Sequence, residues 1–181
     1  EQQLNRIAKT HQGLAVQVRT RAKLNWENLK KSSHSKVLIL DGVVDPHNLG
    51  AVLRTAWLMN VEAVFIPEKN SVGLVPTAAK VASGGAEHVP LEMVSNLPQL
   101  MSELKDMDFW VYGLSHLAQV SFSKVEFPEK VALVMGSEEA GLRKSVEQSC
   151  DQLVSLPQAD SSASYNVSVA AAMGLYEIHR Q

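Results

Sequence analysis

A chain of 181 residues that is 45% hydrophobic can bury one sizeable core, and one main domain is the expectation. No apolar run reaches transmembrane length, and a single cysteine, Cys150, with six scattered histidines excludes an internal disulfide framework and offers no metal-ligand spacing. The formal net charge of −2 hides an uneven spread: residues 1–36 carry Arg6, Lys9, Arg19, Arg21, Lys23, Lys30, Lys31 and Lys36 against only Glu1 and Glu27, so a basic arm precedes an acidic body over residues 37–181. Such an arm suits contacts to nucleic-acid phosphates and equally suits a solvated linker. The start, Glu1-Gln-Gln-Leu4, has neither a Met nor the apolar segment of a signal peptide, so a processed or trimmed chain in a reducing cytoplasm is expected.

After the arm, short apolar runs alternate with segments of helical spacing. Strands are predicted over residues 37–43, 63–67, 88–94, 109–114, 131–135 and 152–156, and helices over 47–60, 75–83, 97–107, 139–149 and 166–180. The alternation predicts an α/β domain with a mostly parallel sheet covered by helices on both faces.

Chemistry-bearing residues collect where these predicted strands end. The stretch Asp41-Gly-Val-Val-Asp-Pro-His-Asn-Leu-Gly-Ala-Val-Leu-Arg-Thr-Ala56 sets a polar loop between a strand and a helix. Asn48 and Arg54 thereby stand near a strand's carboxyl end, where open α/β sheets bind ligands. Gly113-Leu114-Ser115, Met135-Gly136-Ser137 and Ser155-Leu156-Pro157 end three other strands, and the missing side chain of Gly136 permits close approach of backbone to a ligand. Glu138 falls at the start of a predicted helix, where a carboxylate suits the positive dipole end. Ser164 is an N-cap candidate for the last helix. Glu139 and Arg143 read as surface residues, Trp57 and Trp110 as core or interface, and no chemistry is assigned to His47 or His88. No G-x-G-x-x-G follows any strand, which disfavours a dinucleotide enzyme despite Glu68 at the end of the second strand.

Three segments together, 41–56, Val134-Met-Gly-Ser-Glu-Glu-Ala-Gly-Leu-Arg143 and Leu156-Pro-Gln-Ala-Asp-Ser-Ser-Ala-Ser-Tyr-Asn-Val-Ser-Val-Ala170, resemble the ordered motifs of the SpoU (TrmH-like) branch of the SPOUT RNA methyltransferases. Asp45-Pro-His-Asn-Leu-Gly50 and Ser164-Tyr-Asn-Val-Ser-Val169 are the most specific parts. His11-Gln-Gly-Leu14 is similar to the connector of the RlmB-type ribosomal RNA guanosine 2′-O-methyltransferases. The family most often has Leu where this chain has Tyr165. The resemblance implies a C-terminal trefoil knot, a homodimer, and S-adenosylmethionine-dependent 2′-O-methylation of RNA, with ribosomal RNA expected ahead of transfer RNA. It implies cofactor contacts at Gly136, Leu156 and Tyr165, joined by the strand-end residues Gly113 and Leu114. It also implies a catalytic set of Arg54, Asn48, Glu138, Ser164 and Asn166. A guanidinium releases its proton reluctantly, so Arg54 is expected to clamp substrate phosphate or ribose. A catalytically silent RNA-binding factor is the competing expectation, and the intact catalytic set argues against it. For the dimer, Trp57, Leu58 and Met59 on the first helix and Met173, Leu175 and Tyr176 on the last are expected to be exposed.

Overall fold

The computed structural model describes residue 6 and residues 23–160 and 163–181; the connector His11–Leu14, with Arg19 and Arg21 of the arm, lies outside the described residues. In chain order the elements are α1 (Trp26–Lys31), β1 (Ser35–Asp41), α2 (Pro46–Leu58), β2 (Ala63–Pro67), α3 (Pro76–Ala82), α4 (Gly85–His88), β3 (Leu91–Val94), α5 (Leu97–Lys105), β4 (Trp110–Leu114), β5 (Lys130–Gly136), α6 (Lys144–Glu147), β6 (Gln152–Val154) and α7 (Val167–Arg180), with a 3₁₀ turn at Phe122–Lys124. The six strands form one sheet in the order β3-β2-β1-β5-β4-β6, and every pairing is parallel.

The period-2 alternation of strand side chains divides the core between the two faces of the sheet. Leu38 and Leu40 of β1 join Leu49, Val52, Leu53 and Ala56 of α2 and Ala171 and Leu175 of α7. Val37 and Ile39 face the other way and pack with Leu97, Leu100, Met101 and Leu104 of α5 and with Leu29 of α1. Each of the buried Val, Leu, Ile and Met side chains among these stabilises the fold by roughly 1.5–3 kcal/mol. The strand order reverses between β1 and β5, where Asp41 and Gly136 are register partners at the carboxyl ends. From β6 at the sheet edge, the chain returns to place α7 against α2 and β5 near the middle.

Caps explain where the principal helices begin. Asp45 accepts the His47 amide at 3.0 Å with Pro46 in the first turn of α2, Asn96 caps α5, and Asn166 caps α7 by accepting the Ser168 amide at 2.9 Å. The cap of α7 is therefore Asn166 and not Ser164. The helix expected over 139–149 shrinks to α6, because Ser137 and Gly141 exchange backbone hydrogen bonds of 3.1 and 2.9 Å and close a tight turn. Residues 88–90 precede β3 and do not belong to it: His88 ends α4, and its ring stacks on Trp57 at 4.2 Å. Trp57 is therefore only partly exposed. Leu175 is fully buried and Met59 packs against the core, which confines the uncovered apolar side chains of the two helices chiefly to Trp57, Leu58, Val169 and Tyr176. Trp110, expected in core or interface, opens β4 with nearly half its surface exposed.

Candidate functional site

A cleft of about 410 Å³ opens at the carboxyl ends of β4, β5 and β6. Its size lies within the range of about 300–1,000 Å³ typical of cofactor sites. Leu114, Gly136 and Leu156 supply the strand-end walls, Ser164 and Tyr165 the segment before α7, and residues 137–142 a hairpin along one side. The Tyr165 hydroxyl donates to the Pro157 carbonyl at 2.8 Å, so a side chain of the last loop ties that loop back to the end of β6.

The hairpin exists because β5 ends in a glycine. A Cβ on Gly136 would lie 2.0 Å from the carbonyl carbon of Gly141, so this glycine accommodates the hairpin's own backbone; Gly141 itself adopts φ +65. This contact stands beside the sequence-based reason for Gly136, approach of a ligand, since Gly136 also lines the cleft. Gly113 is placed differently again. A Cβ there would meet Cys150 and Leu153 at 2.7 and 2.8 Å, and Gly113 is absent from the lining of the cleft.

At the lip of the cleft, three residues from distant parts of the chain converge. Asn48 Nδ2 donates to Glu138 Oε1 at 3.0 Å, Asn166 Nδ2 donates to the same oxygen at 2.7 Å and to Asn48 Oδ1 at 2.9 Å, and the Val167 amide donates to Glu138 Oε1 at 3.2 Å. Glu138 does meet a helix N-terminus, but that of α7 and not of a helix following it in sequence. Asn166 serves both partners, since its Oδ1 caps α7 while its Nδ2 holds Glu138 and Asn48. All of these bonds to Glu138 converge on Oε1, and the same residue lines the cleft.

Arg54 is not brought to this network. It is exposed on α2, beside the point where α4 crosses the Leu53–Arg54 backbone, and does not line the cleft. The structure thus gathers Asn48, Glu138 and Asn166 by direct hydrogen bonds and Leu114, Gly136, Leu156, Ser164 and Tyr165 around the cleft. Arg54 stands apart and Gly113 lies behind the wall. Sequence reasoning missed the buried Asp41, whose carboxylate accepts Arg143 Nε at 2.6 Å and the Arg143 amide at 2.9 Å. An acid closing the apolar run Val37-Leu-Ile-Leu40 was the available signal. Cys150 contributes no thiolate, because burial pushes its thiol up to about 12. Among the described residues, no group of three His, Cys, Asp or Glu side chains is placed to hold a metal ion, and no helix is long and apolar enough to cross a membrane.

Residues 35–176 match the SpoU rRNA Methylase family. The chain belongs to that family. It is 44% identical over 178 residues to the 23S rRNA (guanosine-2′-O-)-methyltransferase RlmB of Haemophilus ducreyi, covering 96% of this chain and 72% of that protein. Among solved structures, the TrmH/SpoU tRNA modifying enzyme of A. aeolicus superposes with a TM-score of 0.72 at 27% identity, covering 86% of this chain and 79% of that one. The SpoU methyltransferase AviRb of Streptomyces viridochromogenes, solved in complex with AdoMet, shares the fold with a TM-score of 0.80 at 21% identity, covering 88% of this chain and 62% of that one. As a SpoU-family member the protein is an RNA methyltransferase that uses S-adenosylmethionine. The cleft fits that cofactor on its own chemistry: three strand ends offer backbone donors and acceptors, Leu114 and Leu156 offer apolar walls, and Glu138 and Glu139 offer negative charge suited to a sulfonium and an ammonium.

Proposed function

We propose that this SpoU-family protein methylates the 2′-hydroxyl of a guanosine in 23S ribosomal RNA, as the name of its Haemophilus ducreyi relative states for that protein. The observation that carries a methyl-transfer reading at this cleft is the Asn48–Glu138–Asn166 network, which ties all three motif segments together at the lip of a cofactor-sized cavity. Bound S-adenosylmethionine supplies a methyl group on a positively charged sulfur. In-line transfer then depends chiefly on holding the ribose oxygen at attack distance. Leu114, Gly136, Leu156 and Tyr165 form the cofactor cradle, with Gly113 supporting it from behind. Asn48, Asn166, Ser164 and Glu138 form the rim that orients the ribose, and Arg54 clamps phosphate or ribose as a fixed cation. Residues 37–181 act as the catalytic domain and residues 1–36 as a basic arm for RNA phosphates; Lys23, Lys30 and Lys31 are exposed on the described part of that arm. The return of the chain from the edge strand β6 to the middle of the sheet is the path a trefoil knot requires, and a cytoplasmic location accords with an RNA substrate.

Incubating the protein with labelled S-adenosylmethionine and either unmodified 23S RNA or bulk tRNA transcripts tests the substrate. Label is expected as 2′-O-methylguanosine in 23S RNA; label confined to tRNA would replace the ribosomal reading with the transfer RNA one.

The position of Arg54 outside its own cleft supports a composite site in a homodimer, in which one copy lends Arg54 to the other. Leu58 and Tyr176 are 68% and 58% exposed on α2 and α7, two helices that pack side by side, and an isologous interface across them would cover both. Leu58→Glu with Tyr176→Glu is therefore expected to give a monomer in sedimentation equilibrium and to cost at least about tenfold in turnover, since desolvating a charge opposes association. A stable monomer with full activity sinks both the interface and the shared site.

A further inference from the structure

We propose that Asp41 and Arg143 are positioning residues for cofactor binding: their ion pair latches the 137–142 hairpin onto the end of β1 and so fixes the height of one wall of the cleft. This rests on the cleft being the cofactor site. Asp41 is the last residue of β1, its side chain is wholly buried, and Gly136, from which the hairpin departs, is its register partner on β5. Arg143 is the first residue beyond the hairpin and reaches the carboxylate twice, through its amide at 2.9 Å and through Nε at 2.6 Å. Entry to and exit from the hairpin are thus pinned to one point of the sheet.

Several observations make this a determinant of geometry and not only of stability. The hairpin between these anchors is short, closed by the Ser137–Gly141 pair and by the Ala140 amide donating to Ser137 Oγ at 3.1 Å. It packs on the bare Cα of Gly136, with no side chain between the hairpin and the end of β5. Glu138 rides on it, and its Oε1 must meet Asn48 and Asn166 at the lip. A buried carboxylate deprived of its cation is strongly disfavoured, so the equilibrium runs towards the latched hairpin. Asp41 also precedes the loop that leads to Asn48, which couples the first motif to the second through a buried charge outside the lining of the cleft.

Half of the Arg143 side chain is exposed, so Arg143→Ala removes little packing, but it leaves the Asp41 carboxylate buried without its cation. Its folding is therefore checked by thermal unfolding, the double variant Asp41→Asn with Arg143→Ala, which removes both charges, is read beside it, and Arg143→Lys is the conservative variant. Titration calorimetry of the full chain with S-adenosylhomocysteine is combined with steady-state methylation, using Leu156→Trp as a variant that fills the cleft. For Arg143→Ala, loss of a charge-assisted hydrogen bond is expected to raise Kd and the cofactor KM by about tenfold with kcat within about twofold, and Arg143→Lys to recover part of that loss. Wild-type Kd in Arg143→Ala, or a fall in kcat at unchanged KM, overturns the latch when Leu156→Trp has lost binding. Wild-type binding by Leu156→Trp overturns instead the placement of the cofactor in this cleft, and the latch with it.

Discussion

Replacing Arg54 with alanine is expected to lower methyl transfer by about 10²–10³-fold, the scale on which removal of one preorganised charge-stabilising donor acts. The cofactor is expected to bind nearly as before. Arg54 is exposed on α2, lines no part of the cleft, and takes no part in the Asn48–Glu138–Asn166 network, so its loss changes neither cavity shape nor rim. Alanine is also a better helix former than most residues, so α2 is not weakened. Single-turnover methylation and calorimetry with S-adenosylhomocysteine separate the two quantities. A parallel loss of cofactor affinity would move Arg54 from the substrate to the cofactor and remove the reason for a composite site. Mixing Arg54→Ala chains with chains blocked in the cleft by Leu156→Trp sharpens the result: shared sites restore some activity in the mixed dimer, and separate sites restore none.

The second large effect belongs to Gly136. A valine there fails on either account of this glycine, but alanine separates them. If the missing side chain merely made room for a ligand, one methyl group would cost little. A Cβ at this position would instead fall 2.0 and 2.2 Å from the carbonyl carbon and oxygen of Gly141, a backbone contact that no rotamer change relieves. Gly136→Ala is therefore expected to be nearly as harmful as Gly136→Val. Overpacking of this kind costs about 3 kcal/mol of stability, the upper end of its usual range. Displacement of the hairpin should abolish cofactor binding at concentrations that saturate the wild type. Thermal unfolding and calorimetry on the alanine variant decide the matter, and near-normal cofactor affinity would leave only the ligand-approach reading.

The elements legible in the sequence were those whose periodicity and punctuation agree. Val37-Leu-Ile-Leu40 bounded by polar residues marks β1, which spans 35–41 against the expected 37–43, and Asp45-Pro46 followed by Leu49, Val52, Leu53 and Ala56 marks α2, which spans 46–58 against 47–60. The helix expected over 139–149 failed because its apolar spacing competes with a glycine at 141 that takes φ +65 and closes the turn at Ser137. Local pattern carries no information about a closure made by backbone bonds. The same limit explains Leu175, expected outside but buried once α7 returns to β5. Asn48, Glu138 and Asn166 were named from motifs, yet that one oxygen of Glu138 gathers both amides is a fact of tertiary placement. Arg143 looked like a surface residue because half of it is one; its partner Asp41 is what burial hides from a sequence.

That shared oxygen also orders events in time. Asn48 lies 90 residues before Glu138 and 118 before Asn166, so the lip of the cleft is made of contacts among the most distant in sequence that the domain contains. Contacts of such separation form slowly, because the intervening chain must already be confined. A nascent chain ending at Asp160 lacks two of the three donors that converge on Glu138, those of Asn166 and Val167. During synthesis the sheet can assemble around an unfinished lip, and competence for catalysis arrives as a late checkpoint, when the final helix docks.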